Sequence, residues 1–174
     1  AIKSGIAAQD VQILAPMYRG QAGINNLNTI MQDLLNPQEK ANQFAFNDIF
    51  FRKNDKILHL VNDTELNVFN GDIGIITDLI PGKYTESKQD EIYMSFDGNE
   101  VIYPRNEWSK ITLAYAMSIH KSQGSEFPVV ILPITRQSGR MLQRNLIYTA
   151  ITRAKSKLVM LGEIVAFDYA VHNE

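Results

Sequence analysis

The sequence contains no cysteine, which excludes disulfide bonds and thiolate metal sites and favours a reducing compartment such as the cytoplasm. It also lacks any apolar run close to the roughly 18 residues of a membrane span, so we expect no membrane partner. The three histidines are scattered along the chain, and no metal-binding cluster is predicted from them.

Two elements that nucleotide-hydrolysing proteins use are missing as well. No Gly-Lys-Ser or Gly-Lys-Thr occurs, so nothing matches the loop that cradles phosphates with backbone N–H groups and a lysine. No Asp-Glu pair ends an apolar strand, where it would hold Mg²⁺. The chain starts at Ala1, with neither an initiator methionine nor the features of a signal peptide. We therefore expect a fragment of a longer protein, inactive when isolated.

What is present is an ordinary globular composition. The chain has 174 residues, 45% of them hydrophobic and 21% charged, enough for one large domain or a domain with a small insert. The net charge of −2 argues against a protein that coats nucleic acid, which would have a basic face. It does not exclude a protein that contacts a few phosphates in one groove.

Alternating strand and helix patterns occupy the two ends of the sequence. Residues 11–16 predict a buried strand, and the apolar spacing over 20–35 predicts a helix that Asn36-Pro37 ends. The alternation returns after Trp108, where we predict strands at 111–115, 129–134 and 158–161, a short helix around 118–122 and a helix over 141–154. This order is typical of a parallel sheet with helices outside it.

The middle of the chain, residues 44–108, has a different pattern. Short apolar runs at 56–61, 73–80, 91–96 and 100–103 are separated by turn residues. Asp97-Gly98-Asn99, between the last two runs, is a strong hairpin signal. Several short strands at this spacing favour a small inserted β-barrel.

The helix predicted at 141–154 has two faces, because successive residues turn by about 100°. Arg153 falls on the polar face together with Thr149. On an arbitrary helix such an arginine makes a surface salt bridge. Its permanent charge and planar fork of donors would equally suit a γ-phosphate. The apolar face is formed by Leu146, Ile147, Ala150, Ile151 and Ala154.

Residues 148–154, Tyr-Thr-Ala-Ile-Thr-Arg-Ala, resemble motif VI of superfamily 1 nucleic-acid helicases, whose pattern is Y/V-T-A-x-T-R-A. The resemblance implies that Arg153 is a catalytic arginine finger that reaches ATP bound on another domain. It also implies that Thr149 belongs to the ATP site.

Residues 113–126, Leu-Ala-Tyr-Ala-Met-Ser-Ile-His-Lys-Ser-Gln-Gly-Ser-Glu, resemble motif V, especially that of RecD-like helicases. In that family the motif touches both DNA and nucleotide, which would couple the two. The purely structural alternatives are a helix C-cap for Gly124 and a solvent-exposed face for His120 and Lys121. The resemblance assigns Ser118, His120 and Lys121 to DNA binding, and Gly124 and Glu126 to ATP binding.

Residues 15–20, Ala-Pro-Met-Tyr-Arg-Gly, follow a strand and open a helix, which is where ligands bind in open α/β sheets. They resemble motif IV, and this implies that Arg19 lies near the γ-phosphate as a second catalytic arginine, with Tyr18 in the ATP site. Asn28 belongs either to the same signature or to the ordinary surface of the helix.

Residues 53–57 and 69–74 resemble the inserted barrel of RecD-like proteins, which is of the Src-homology-3 type. Members of that family often have Gly-Asp where this chain has Asn54-Asp55. Barrels of this class bind peptides as often as nucleic acid, so the insert could contact either.

Taken together, the motifs resemble the C-terminal motor domain of a RecD-like superfamily 1 DNA helicase, the family of the exodeoxyribonuclease V α-subunit. The implied fold is α/β, a RecA-like parallel sheet with helices on both faces (1–46 and 109–174) interrupted by the barrel (47–108). The implied activity is ATP-dependent 5′→3′ DNA unwinding. ATP and Mg²⁺ would be bound mainly by an N-terminal motor domain of the same protein.

The implied partners are single-stranded DNA and that N-terminal motor domain, and the resemblance leaves open other repair or nuclease subunits. Two alternatives also stay open at this point. The chain could be the helicase part of a conjugative relaxase, which shares these motifs. It could instead be a non-catalytic module that binds a protein through the β insert.

Overall fold

The structure is a computed structural model that describes residues 7–15, 23–39, 42–134 and 144–162. It divides into two compact units. The parallel-sheet unit lies within Ala1–Ile30 and Tyr115–Glu174, and the barrel unit is Met31–Ala114. None of the helices within the described ranges is long and apolar enough to cross a membrane.

The elements are numbered along the chain. Strands and helices are β1 (Val11–Ala15), α1 (Ile24–Leu35), β2 (Gln43–Phe46), β3 (Ile49–Arg52), β4 (Lys56–His59), β5 (Ile73–Ile80), β6 (Glu91–Phe96), β7 (Asn99–Pro104), β8 (Ile111–Leu113), β9 (Ala116–Ser118), β10 (Phe127–Ile134), α2 (Arg144–Ile151) and β11 (Ala154–Gly162). Short 3₁₀ helices lie at Ala8–Asp10, Gly82–Tyr84, Arg105–Lys110 and Ile119–Ser122.

Within the described residues of the parallel-sheet unit, four strands form a parallel sheet in the order β11-β10-β1-β9. Every residue of β1 is buried, as expected for a central strand covered on both faces. The pairs Val11↔Val129 and Ile13↔Ala116 fix its register on the two sides. The predicted α/β class with a parallel sheet is thereby confirmed.

The strand predicted at 111–115 belongs to a different sheet from the one expected. Only Ile111–Leu113 is extended, and it pairs antiparallel with β4 through Ile57↔Leu113. The separate strand β9, which the sequence analysis did not predict, then joins the parallel sheet beside β1. A continuous apolar run contains no signal for which neighbour each half will pair with, so the sequence pattern merged two strands into one.

Helix α1 is confirmed from Ile24 to Leu35, but its buried side is not the apolar stripe alone. Ile30 is 46% exposed and Leu34 is 65% exposed. Asn28 and Gln32, one helical turn apart, are both buried and both use their side-chain amides in hydrogen bonds. The inward face of this helix therefore makes polar contacts at positions where apolar packing is usual.

The barrel unit contains an antiparallel sheet in the order β7-β6-β5-β4-β8 and a separate hairpin of β2 with β3, counting the described strands. The predicted strands 73–80 and 91–96 are confirmed at those bounds. Asp97 and Gly98 join β6 to β7 with φ of 51° and 83°, the double positive φ that a two-residue hairpin turn requires. The predicted hairpin is thus confirmed, whereas the β2–β3 hairpin was missed.

Trp108 lies at the centre of the barrel core and is fully buried. Its ring stacks on Phe44 at 5.6 Å and meets the edges of Phe46 and Phe51 at 5.8 and 6.1 Å. The indole N–H donates to the backbone oxygen of Tyr103 at 2.9 Å. The missed hairpin therefore supplies the aromatic cover of this tryptophan, and each ring pair adds about 0.5–1.5 kcal/mol to its burial.

A buried carboxylate organises the turn between β3 and β4. Asp55 is fully buried and accepts hydrogen bonds from the Gln32 amide at 2.7 Å, the Asn36 amide at 2.8 Å and the Arg52 backbone N–H at 2.7 Å. Asn54, directly before it, has a φ of 72°, a conformation that asparagine tolerates better than most residues. These contacts hold the turn to the second half of α1.

Candidate nucleotide and nucleic-acid site

The motif V residues form a turn, 118–126, that starts where β9 ends. Ser118 is the N-cap of the 3₁₀ helix Ile119–Ser122, and its Oγ accepts from the Lys121 backbone N–H at 3.4 Å. Ser122 is buried and donates its hydroxyl to the Ile119 carbonyl. The two serines are therefore the internal framework of the turn, and Ser118 is only 5% exposed.

The polar residues of the turn differ in their access to solvent. His120 is exposed, and Lys121 is half-buried. Gly124 has a φ of 80°, and a Cβ at this position would meet nothing within 4 Å. A glycine is favoured there by backbone conformation, and the space beside it is open to a ligand.

Arg153 does not lie on the helix that the sequence predicted. Helix α2 ends at Ile151, the Arg153 N–H reaches back only three residues to the Ala150 carbonyl at 3.2 Å, and Ala154 already begins β11. The predicted common face with Thr149 and the predicted apolar position of Ala154 are both wrong. The reason is the parallel pairing of Ala154 with Phe127, which turns the chain into the sheet.

Two hydrogen bonds join the turn at Arg153 to the end of the 118–126 turn and the residue after it. The Phe127 N–H donates to the Arg153 carbonyl at 2.8 Å, and the Arg153 guanidinium donates through Nη1 to the Ser125 carbonyl at 3.3 Å. Two segments that the sequence analysis assigned to motifs V and VI are thus in direct contact. This contact uses backbone carbonyls, so no side-chain pattern could have predicted it.

The Arg153 guanidinium is incompletely satisfied. Its second bond, from Nη2 to the Thr152 hydroxyl, is 3.4 Å long, and both bonds exceed the usual 2.7–3.2 Å of N–H···O contacts. Among the described residues, its Nε is the one buried side-chain nitrogen or oxygen without a hydrogen-bond partner. A charged donor left in this state favours the approach of a stronger acceptor, such as a phosphate oxygen.

The remaining predicted ATP residues have ordinary surface contacts. Glu126 is 59% exposed in its side chain and lies 3.7 Å from the Lys155 ammonium. The Thr149 hydroxyl donates to the Asn145 carbonyl at 2.9 Å, one helical turn back. Tyr18 and Arg19 lie outside the described residues. No group of three or more potential metal ligands occurs among the residues that the structure describes.

Asn28 is a residue that the sequence analysis underestimated. It is 3% exposed, and its amide bonds both backbone groups of Ala116 in β9. The surface reading of this asparagine is therefore wrong. Its position four residues after Ile24, which is also buried, was a signal that it faces inward.

Two family models match this chain. The model of the UvrD-like helicase C-terminal domain matches residues 113–161, which contain both turns of the candidate site. The model of the ATP-dependent RecD-like DNA helicase SH3 domain matches residues 27–96. The fold and the site therefore define the C-terminal domain of a UvrD-like helicase together with an SH3-type domain.

Curated relatives narrow this class. The chain is 33% identical over 160 residues to the ATP-dependent RecD2 DNA helicase of Deinococcus radiodurans, over 92% of this chain and 21% of that protein. It is 28% identical over 151 residues to the RecBCD enzyme subunit RecD of Mycolicibacterium smegmatis, over 87% of this chain and 25% of that protein. The chain is thus similar to proteins named as RecD-type helicases, and it spans about a fifth to a quarter of the length of these relatives.

Solved structures agree on the fold. The Pif1 helicase from Candida albicans superposes with a TM-score of 0.58 at 15% identity, covering 87% of this chain and 45% of that one. Bacteroides Pif1 bound to single-stranded DNA gives a TM-score of 0.52 at 18% identity, covering 86% of this chain and 40% of that one. At such low sequence identities the superpositions show that the fold is shared, and they do not show the activity.

Proposed function

We propose that this chain is the C-terminal part of an ATP-dependent 5′→3′ DNA helicase of the RecD type. The observation that carries the proposal is the contact between the 118–126 turn and Arg153, whose guanidinium has long hydrogen bonds and an unpartnered Nε. The names of the curated relatives support the same activity. The two ends of the chain would form the second motor domain, and its middle, which in the structure is the unit Met31–Ala114, would be the inserted barrel.

In this proposal the residues divide into three roles. Arg153 and Arg19 are catalytic and act on the γ-phosphate. The ATP-binding residues are Tyr18, Gly124, Glu126 and Thr149, and the DNA-binding residues are Ser118, His120 and Lys121.

The proposal also names the partners of the chain. Mg²⁺ is held by the N-terminal motor domain of the same protein. Single-stranded DNA is the nucleic-acid partner, and other repair or nuclease subunits are further candidate partners in the cytoplasm.

The chemistry follows from the properties of the guanidinium. Arg153 is permanently charged and offers a planar fork of donors that matches the oxygens of a phosphoryl group. Charge spreads over those oxygens during phosphoryl transfer, so the arginine stabilises the transition state more than the ground state. Because the same side chain contacts Ser125, a shift of the DNA-binding turn would also shift the finger.

The test is ATP turnover of the intact protein with Arg153→Ala and Arg153→Lys, each with and without single-stranded DNA. We expect Arg153→Ala to lower turnover by about 10³-fold or more, with nucleotide and DNA affinity little changed. Arg153→Lys should recover little of this loss, because an ammonium lacks the planar fork.

The matched control is Arg144→Ala, an exposed arginine at the first position of α2. It should leave turnover within about twofold, since its removal leaves the bond from Arg153 to the Ser125 carbonyl in place. Near-normal turnover of Arg153→Ala would contradict the proposed role. A collapsed melting temperature in that variant would make Arg153 a structural residue instead.

A further inference from the structure

Strand β9 is the edge of the described parallel sheet, and one side of it has no neighbouring strand there. In a parallel ladder, alternate residues direct their N–H and C=O to opposite sides. The Tyr115 carbonyl accepts from the Ile13 N–H at 3.2 Å, so that residue faces β1. The N–H and C=O of the next residue, Ala116, therefore point to the open side. Ala116 is only 1% exposed, and unpaired peptide groups in such a place would be costly.

Asn28 supplies the missing partner. Its Nδ2 donates to the Ala116 carbonyl at 2.9 Å, and its Oδ1 accepts from the Ala116 N–H at 2.8 Å. A carboxamide has the same donor and acceptor pair as a peptide group, so the side chain acts as a short extra strand. Both bonds are lost if the residue is replaced by any apolar side chain.

The position of β9 determines where the 118–126 turn starts. The strand has only three residues, and its last one, Ser118, caps the 3₁₀ helix that carries His120 and Lys121. On the inner side β9 is held by its pairing with β1, from Ile13↔Ala116 to Ala15↔Ser118. On the open side, the described structure holds it through the two bonds of Asn28. Loss of these bonds frees the strand to shift and the turn to shift with it.

We propose that Asn28 is a positioning residue that holds β9, and through it the 118–126 turn, in the arrangement that binds single-stranded DNA. This inference rests on the proposed function, in which His120 and Lys121 contact DNA. Asn28 itself touches neither DNA nor nucleotide. It acts through the backbone of Ala116 alone.

The experiment measures ATP turnover of the intact protein against the concentration of an oligothymidine single strand. The variant is Asn28→Asp, which keeps the size of the side chain but places an oxygen where Nδ2 donated. We expect the half-saturating DNA concentration to rise about tenfold, as for other small misplacements of a binding group. Turnover at saturating DNA should stay within about twofold of wild type.

The matched control is Asn26→Asp, which makes the same chemical change at an exposed position of the same helix. Its half-saturating DNA concentration should equal that of wild type. A second variant, Asn28→Ser, covers the case in which Asn28→Asp does not fold. A double-mutant cycle of Asn28→Ser with His120→Ala should show non-additive effects on DNA affinity, because both residues act through one turn.

The outcomes separate the two proposals. Wild-type protein whose ATP turnover does not respond to DNA overturns the proposed function and this inference with it. A DNA-stimulated wild type whose Asn28 variants lose turnover but keep the wild-type half-saturating concentration overturns this inference alone, because a merely structural residue lowers the active fraction and not the affinity. Strictly additive effects in the cycle also count against it.

Discussion

Asp55 and His59 of the barrel unit and Arg153 of the parallel-sheet unit differ in how well their hydrogen-bonding groups are satisfied. In the barrel unit, Asp55 and His59 are fully buried, and their hydrogen bonds are short, between 2.7 and 2.8 Å. In the parallel-sheet unit, the guanidinium of Arg153 makes bonds of 3.3 and 3.4 Å and leaves Nε without a partner. Satisfied buried groups stabilise a fold, whereas poorly satisfied ones at a turn are available to a ligand. The comparison favours Arg153 as a group that could meet a ligand and Asp55 and His59 as anchors of the barrel unit.

The largest effect is expected at Asp55, whose replacement tests whether its hydrogen bonds stabilise the barrel unit. Asp55→Ala should lower the free energy of unfolding of the barrel unit by about 3 kcal/mol or more, because the amide of Gln32, the amide of Asn36 and one backbone N–H lose an acceptor. Asp55→Asn should cost less than Asp55→Ala, since it keeps one acceptor oxygen and its amide hydrogens face only the donors that met the other oxygen. Urea unfolding of the 174-residue chain, followed by the fluorescence of Trp108, measures this directly.

Trp108 is the single tryptophan of the chain and lies in the barrel core, so its emission reports on that unit. Asp48→Ala is the matched control, because Asp48 is exposed in the turn between β2 and β3. It should change the midpoint little. Equal midpoints for the Asp48 and Asp55 variants would show that the buried carboxylate is not the anchor described here.

A smaller effect is expected at Tyr103. The His59 Nδ1–H donates to the Val61 carbonyl at 2.7 Å, which leaves Nε2 to accept from the Tyr103 hydroxyl at 2.8 Å. Tyr103→Phe removes that donor and should cost about 1–2 kcal/mol at pH 7. Tyr84→Phe, at a residue that is 72% exposed, is the control and should be neutral.

The same tyrosine predicts a pH dependence. Burial raises the pKa of Tyr103, and the opposing charge of Lys110 only partly offsets this. A raised pKa in the folded state means that stability is complete below the unfolded value of about 10 and is lost as pH rises above it. Urea midpoints at pH 8 and pH 10.5 should therefore differ more for wild type than for Tyr103→Phe. The hydrogen bond to Glu107 raises the pKa of Lys110 and adds a residual decline in both proteins.

The smallest effect on stability is expected in the parallel-sheet unit, at the pair of Glu126 and Lys155. Glu126→Gln breaks an exposed pair with Lys155 and should change stability by no more than about 0.5 kcal/mol. If Glu126 binds ATP as proposed, the apparent KM for ATP of the Glu126→Gln variant of the intact enzyme should rise. Lys155→Ala breaks the same pair but keeps the carboxylate, so it should leave that KM unchanged. Equal effects of the two variants on KM would mean that the ion pair matters and the carboxylate does not.

Much of the fold follows from the sequence pattern, and the exceptions have physical causes. The strands 73–80 and 91–96 and the turn Asp97-Gly98 were predictable because turn chemistry and alternation agree there. The β2–β3 hairpin was missed because each of its strands has only four residues, the lower limit for an alternation signal, although Asn47-Asp48 between them is a turn signal. Partner choice in a sheet is a tertiary property, which explains why 111–115 was assigned to the wrong one.

For the candidate site, the sequence pointed to residues but gave no information on their contacts. The motif resemblance pointed to Arg153 and to the 118–126 turn. The end of α2 at Ile151 and the bond to the Ser125 carbonyl depend on how β11 pairs with β10, which local propensity does not encode. The roles assigned to individual residues stay predictions for the experiments above.

The amides of α1 and of Asn36, the residue that follows it, have a consequence for anyone who redesigns this segment. Asn28, Gln32 and Asn36 recur every fourth position, are buried, and donate to the backbone carbonyls of Ala116, Phe50 and Lys53. Usual advice for stabilising a helix is to replace such residues with leucine or alanine, which have higher helical propensity. Here each replacement would orphan a main-chain carbonyl, so the substitutions that look most conservative to a hydrophobicity scale would be the most damaging. The neighbouring segments contact these positions through hydrogen bonds, so side-chain hydrophobicity does not predict which substitutions are tolerated there.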